Sequence, residues 1–338
     1  MQRFDEKIAE VKRLYEQTGH LHHLVRLRNL RVKFGQQLSR RAEANGKLEG
    51  KPDIKPAKNP FPDVENDIPE VPYQDMTADM LSGAIQHQGA LIVRDFFPPE
   101  AIKALRDGID ATFDESANYF SGDSKKLEDR DANSPWFRLD LPVKDVYDKG
   151  SVVFMMMTGS VWTFLSPVVC HRLLGAFEQA GLRSTLDQYF EGRTCLSFNK
   201  SVLRRMEPLK EPSEWHQDGA FMSGGIKSVN LWIALSDCGA GTDCPGMDFV
   251  PKRLDKIMPT GGEHGVFKWS VSPHSIDKWF KDTPPVTPTY KAGDAIFFDH
   301  YNLHATSYSP DYTKQRYALE TWFFAEEFAA HNQSPTYW

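Results

Sequence analysis

The spacing of apolar residues changes along this chain. Up to Gly181 they recur every three or four positions, and after Thr194 they alternate or gather in short blocks. Phe4, Ile8, Val11 and Tyr15 predict a helix that Thr18-Gly19 can stop. Leu27, Leu30, Phe34 and Leu38 predict a second, followed by Gly46 and Gly50. Residues 1–50 therefore read as an N-terminal helical extension, a hairpin in form. Six prolines between positions 51 and 72 forbid regular structure and mark a linker, or an arm laid across the body. The compact domain begins near Val71 and is taken as residues 73–330, with 331–338 as a C-terminal tail.

Within that domain Ala90 to Arg94 reads as a strand. Pro98-Pro99-Glu100 opens an amphipathic helix through Ile102, Leu105, Ile109 and Phe113. Residues 115–150 are polar and rich in turn formers, a segment suited to lie over a site. Val152 to Gly181 reads as helical, with Met155, Met156 and Met157 in the core. The β half is predicted at Leu196–Leu203, Ser228–Leu235, Ala295–Phe298 and Tyr317–Phe324. Helices first and strands afterwards give an α+β protein with a mainly β core: supporting helices on an antiparallel barrel or sandwich.

At 338 residues, 40% hydrophobic and 12% aromatic, the chain can bury a sizeable core. No apolar run has membrane-spanning length, and the charged first twenty residues do not form a secretory leader. Cys170, Cys195, Cys238 and Cys244 lack disulfide-scaffold spacing, so free thiols in a reducing cytoplasm are expected. The net charge of −6 is uneven, because residues 1–50 carry eleven Lys/Arg against six Asp/Glu. Acids interleave with these bases and no aromatic ladder accompanies them. They read as a solvated helical face or a contact with another subunit in a homo-oligomer, rather than a nucleic-acid arm. His20, His22 and His23, with no ligand-spaced partners, read as surface residues.

The chemistry concentrates in Glu214-Trp-His-Gln-Asp-Gly219, with His304 and Arg316 downstream. On an extended backbone His216 and Asp218 face the same way while Gln217 faces the other. With His304 they offer two imidazoles and a carboxylate, a set that suits iron or zinc and leaves positions open. His300 competes with His304 as the second imidazole. His304 follows the Ala295–Phe298 strand and Arg316 begins the next, a hairpin that brings the guanidinium toward the metal. A buried guanidinium needs an anion and matches a carboxylate in bidentate fashion. Metal plus arginine suits a cosubstrate with a chelating end and a distant carboxylate, and 2-oxoglutarate has that form.

On Gly89-Ala-Leu-Ile-Val-Arg-Asp-Phe-Phe97, Trp215-His-Gln-Asp-Gly219, the strand around Trp232 and the Gly293-Asp294 to His304 segment, the chain resembles the phytanoyl-CoA dioxygenase-like family. The resemblance covers roughly residues 75–325. It implies a double-stranded β-helix, or jelly roll, that uses Fe(II), 2-oxoglutarate and O2. It implies His216, Asp218 and His304 as iron ligands, which favours His304 over His300, and Arg316 on the distal carboxylate. Thr306 takes a position whose hydroxyl assists that carboxylate, and Gln217 and Trp232 take positions that line the cosubstrate pocket. The carboxylate of Asp218 implies hydroxylation or a related oxidation of an unactivated C–H bond, not halogenation, with succinate and CO2 released. A small-molecule metabolite is the expected substrate. The alternatives are a zinc-dependent cupin-like hydrolase or isomerase and an oxygenase acting on a macromolecule. One departure is the loop Cys244-Pro-Gly-Met-Asp-Phe-Val-Pro-Lys-Arg253, which ends in a basic pair where relatives carry a Pro-Gly-Ser-His type ending.

Overall fold

The computed structural model describes residues 2–44, 52–120, 134–141, 149–222, 225–261 and 267–338. Helices α1 (Gln2–Thr18) and α2 (His22–Ala44) open the chain. Strand β1 (Glu70–Pro72), helix α3 (Ala78–Gln88), strand β2 (Ala90–Arg94) and helix α4 (Pro99–Phe120) follow. Then come α5 (Lys149–Met157), β3 (Ser160–Trp162), α6 (Pro167–Gln179) and α7 (Leu182–Phe190). The β half runs through β4 (Thr194–Met206), β5 (Trp215–His216), β6 (Ser228–Ala234), β7 (Cys238–Gly239), β8 (Met247–Phe249) and β9 (Ser270–Val271). After α8 (Pro273–Trp279) come β10 (Thr289–Tyr290), β11 (Ala295–Phe298), β12 (His304–Thr306), β13 (Arg316–Ala325) and β14 (Pro335–Thr336).

Eight strands form a major sheet in the order β1-β2-β11-β6-β13-β4-β14, with β3 also on β4. All its pairings are antiparallel except β1 with β2. A smaller sheet, β8-β12-β5-β9, faces it. Strand β6 shows why the sheet sits centrally, since all seven of its residues are buried. Val229, Leu231 and Ile233 point to one face and join Leu105, Ile109, Leu173 and Phe177 of α4 and α6. Trp232 and Ala234 point to the other, meeting Ile296, Phe298, Trp322 and the minor-sheet residues Met247 and Phe249. Period-two alternation thus builds two cores, one beneath the helices and one between the sheets. The result is a double-stranded β-helix in sandwich form, with the helices stacked on one sheet.

The two N-terminal helices cover this chain's own body. Phe4 stacks on Phe34, which meets Tyr337, and Lys12 pairs with Glu178 at 2.9 Å. Arg28 and Arg31, expected on a solvated face, are buried, as is His23. Arg28 donates to the backbone oxygens of Arg138 and Asp140 and pairs with the Asp140 carboxylate. The proline-rich stretch lies across α3. Gln86 binds the backbone at Lys55 and Ala57, and Gln88 donates to Phe61 O. Any side chain at Gly83 would meet Lys58 O at 2.5 Å.

The expected helix from Val152 to Gly181 is broken in two. Gly159, at φ +68°, ends α5, and its missing side chain lets the backbone approach Arg205 O. The chain then pairs as β3 with β4 before Pro167 opens α6. Met157 is 82% exposed, so the methionine run is not core throughout. The expectation for residues 115–150 divides: helix α4 reaches Phe120, and residues 121–133 and 142–148 lie outside the described residues.

Candidate metal centre and cosubstrate pocket

His216 ends the two-residue strand β5, where it pairs with His304 on one side and Ser270 on the other. Gln217 continues extended, at φ −114° and ψ 126°, and Asp218 begins a one-turn 3-10 helix (Asp218–Ala220). The i, i+2 relation holds through that one extended residue although the strand stops at His216. Gly219 makes the turn possible. A Cβ there would meet Ile257 Cδ1 at 2.6 Å and His300 O at 2.9 Å. Its N–H donates to that same oxygen at 3.0 Å.

The ligand atoms of His216, Asp218 and His304 all lie within 4.8 Å of one another, a set that could hold a metal ion. His216 Nε2 is 3.7 Å from Asp218 Oδ1, and the two imidazole centres are 4.3 Å apart. His304 Nδ1 sits 3.2 Å from Asn302 O; a proton donated there leaves the Nε2 lone pair free. Burial, with His304 second, pushes the His216 imidazole down to about 3, and burial also lowers His304. Both rings are therefore neutral at pH 7, the form that ligates. Asp218 Oδ2 is buried without a partner among the described residues. His300 is turned elsewhere, its Nδ1 2.8 Å from Ser228 Oγ.

Arg316 begins β13 and faces the space between the sheets. It is 1% exposed, and burial pushes its guanidinium down to about 10. Nη1 donates to Gly246 O at 2.6 Å, Met206 and Met247 offer only thioether sulfurs, and Nε has no partner. Among the described residues no carboxylate pairs with it. The guanidinium lies 5.6 Å from the Trp232 ring centre, and Trp232 packs on Tyr290. Trp232 Nε1 and Tyr290 Oη are likewise buried and unpartnered. Three donors left open in one region fit an acceptor-rich guest, since each would otherwise cost about 1–3 kcal/mol. The donor sets therefore suit both a divalent cation and a carboxylate-bearing cosubstrate.

The remaining expected residues divide. Thr306 ends β12 two positions beyond His304 and so shares its face. Trp232 lies in the core between the sheets, beside the Arg316 guanidinium. Gln217 has its amide committed to backbone: Nε2 donates to Lys256 O and Tyr301 O, and Oε1 accepts from Met258 N. Arg253, of the departing basic pair, reaches Asp299 at 3.3 Å. Asp294 of the Gly-Asp motif is structural, accepting from Arg94, Asp95 N and Lys291 N to fix the entry to β11.

Sequence reasoning did not find Tyr290, Lys200, Arg204 or Glu320. Lys200 Nζ is 3.5 Å from Asp218 Oδ1 and 4.1 Å over the Phe221 ring. Arg204 clamps the buried carboxylate of Glu320. Burial opposes that charge, but Arg204 and Lys200 outweigh it and hold the carboxyl below its ordinary range. Only the period-two pattern of β4 and β13 hints at these charges, and it does not say which face is enclosed.

Two facing sheets gather a His-Asp-His set and a buried arginine that pairs with no carboxylate among the described residues, and by its family the protein is a non-haem iron, 2-oxoglutarate-dependent dioxygenase. The family model for phytanoyl-CoA dioxygenase matches residues 85–311, more than half of the chain, and the chain belongs to that family. Among solved structures it is similar to AviO1 from Streptomyces viridochromogenes Tue57, with 16% identity, 71% of this chain and 91% of that one covered, and a TM-score of 0.42. It is also similar to EctD from S. alaskensis, solved with 2-oxoglutarate and 5-hydroxyectoine, with 14% identity, coverages of 72% and 74%, and a TM-score of 0.46. The epimerase SnoN, solved with Fe3+, alpha ketoglutarate and nogalamycin RO, is similar at 17% identity, coverages of 73% and 83%, and a TM-score of 0.42. No curated protein matches the sequence significantly. Among the described residues no helix is long and apolar enough to cross a membrane.

Proposed function

We propose that His216, Asp218 and His304 hold ferrous iron, that Arg316 takes the distal carboxylate of 2-oxoglutarate, and that the enzyme hydroxylates an unactivated C–H bond of a small molecule. The observation that carries this reading is the Arg316 guanidinium, buried between two sheets with its Nε open and no carboxylate among the described residues. Iron, 2-oxoglutarate and O2 together supply the oxidant for such a bond, with succinate and CO2 leaving.

The chain's own residues set geometry and exclude water. His304 is held in one tautomer by Asn302 O, which would leave its Nε2 lone pair free to hold the ion. Asp218 supplies negative charge at the position a halide would need, which favours hydroxylation over halogenation. Arg316 presents its fork at the sheet-enclosed end, where low dielectric strengthens its hold on a carboxylate. Trp232 Nε1 and Tyr290 Oη stand ready to donate beside it. Phe221 and Trp269 flank the His216 ring, with centres at 6.5 and 5.5 Å, and limit water on that side.

Anaerobic addition of Fe(II) and then 2-oxoglutarate to the full chain should give a weak visible charge-transfer band. His216→Ala and Asp218→Ala should abolish it. A wild-type protein without the band, or a His216→Ala protein that keeps it, sinks the assignment.

A further inference from the structure

The side on which His216 is reached is walled by aromatic rings. Trp269 stands edge-on to His216 at 5.5 Å and edge-on to Phe221 at 6.0 Å. Phe267 lies parallel to Trp269, with centres 4.9 Å apart and planes within 3°. Phe267 and Trp269 are among the most exposed large apolar residues described, at 43% and 36%. Two large rings held in register at the surface beside a metal set leave apolar area unburied. A flat apolar guest would cover it.

Charge supplies the second half. In and around the space between the sheets the described residues place Lys200, Arg204 and Arg316 against Asp218 and Glu320. Arg204 is satisfied by Glu320, and Arg316 is the candidate holder of the cosubstrate. Among the described residues Lys200 makes its ion pair with Asp218, at 3.5 Å, which is long for a charge-assisted hydrogen bond. It also acts on Glu320, which Arg204 pairs directly. An ion bound by Asp218 would take up that carboxylate, and Lys200, beside the face of Phe221, would then share the single charge of Glu320 with Arg204. Ferrous iron and doubly charged 2-oxoglutarate cancel each other, so one positive charge is left at the aromatic wall.

Resting on the oxygenase reading above, we infer that the substrate carries a flat apolar group and a single anionic group such as a carboxylate, sulfonate or phosphate ester. Lys200 binds the anion, and Trp269, Phe221 and Phe267 hold the flat portion across the mouth of the site. Lys200 is thus a specificity-determining residue, distinct in role from Arg316, which serves the cosubstrate.

The test uses the full chain under anaerobic conditions with Fe(II) and saturating 2-oxoglutarate. Two probes are titrated by calorimetry: naphthalene-2-sulfonate, a poor metal ligand, and the uncharged 2-naphthyl methyl sulfone. The sulfonate should bind at least tenfold more tightly than the sulfone. Lys200→Met should erase that preference while the 2-oxoglutarate half-saturation of the visible band moves less than threefold. Trp269→Ala should weaken both probes at least fivefold and leave the preference intact. Equal binding of the two probes, no binding of either below millimolar concentration, or a Lys200→Met protein that keeps the preference overturns the inference. So does a Lys200→Met protein that loses 2-oxoglutarate, which would move Lys200 to the cosubstrate. The calorimetry does not depend on the band. A wild type with no band but an intact sulfonate preference therefore counts against the oxygenase reading alone.

Discussion

At the scale of single residues, the polar atoms left open are the most informative. A buried arginine with no carboxylate carries a desolvation cost that packing does not repay. Arg316→Met should therefore leave the thermal midpoint of the free protein unchanged or raise it. In this variant 2-oxoglutarate should no longer raise that midpoint, which differential scanning fluorimetry reads directly. Arg316→Lys keeps the charge but loses the planar fork, and the half-saturating 2-oxoglutarate concentration should rise at least tenfold, about 1.4 kcal/mol. A lysine variant with wild-type half-saturation would mean that the carboxylate is held elsewhere. Gly219 offers a second check. An added methyl would press on His300 O and Ile257 Cδ1. Gly219→Ala should displace Asp218 and weaken Fe(II) binding about 10- to 100-fold, the range for disturbed support around a metal ligand. His216 and Asp218 were legible as a pair because His-x-Asp on an extended backbone converges by local geometry alone, while His304 was chosen over His300 by the family resemblance. Tyr290 and Lys200 were not, because nothing local says that their strands enclose the same space.

At the scale of elements, one glycine and one histidine decide how segments meet. Periodicity over Val152 to Gly181 favoured one helix, yet Gly159 at φ +68° ends α5 and lets β3 reach β4. Alanine at Gly159 would adopt a left-handed conformation and meet Arg205 O at 2.6 Å. Gly159→Ala should cost about 2 kcal/mol or more, read as a lower urea midpoint. His171 packs edge-on against Tyr15, joining α6 to α1. Burial first, then Arg31 and Lys12, pushes its imidazole down to about 4. The folded value lies below the free one, so the undocked state takes the proton first. Docking of α1 is fully favoured above pH 6.5 and weakens as the pH falls toward 4. Amide exchange in α1 should accelerate relative to α6 between pH 7 and pH 5, and His171→Phe should remove the difference. Exchange that is insensitive to pH across this window would refute the coupling.

At the scale of the molecule, the chain's two ends close on each other. Strand β14 pairs with β4 at the sheet edge, Thr336 donates to Arg31 O, and Gly35 lets α2 approach Pro335 O. Phe34 meets Tyr337 at 5.2 Å, and Trp338 lies against Phe323 at 5.1 Å. Residues 331–338 read as a tail because eight residues with no periodicity carry no signal of the surface they cover. Trp338→Ala should destabilise by about 3 kcal/mol, typical of a large buried aromatic lost from a core. Phe34→Ala and Tyr337→Ala should be non-additive by about 0.5–1.5 kcal/mol in urea unfolding. Strict additivity would show that the ends stabilise the body independently.

Local spacing determined most of the elements and the convergence of His216 with Asp218, since the 3.6- and 2-residue periods and the i, i+2 relation act within a few residues of each other; His304 came from the family resemblance. It also determined that Arg316 would want an anion, because a guanidinium is charged wherever it is buried. Only the tertiary structure decided which face of each strand is enclosed, and hence that Tyr290 joins Arg316 while Lys200 joins Asp218. It likewise turned Gln217 onto the backbone and His300 onto Ser228. These choices follow from sheet register and from contacts between residues far apart in the chain. A short sequence window does not contain them.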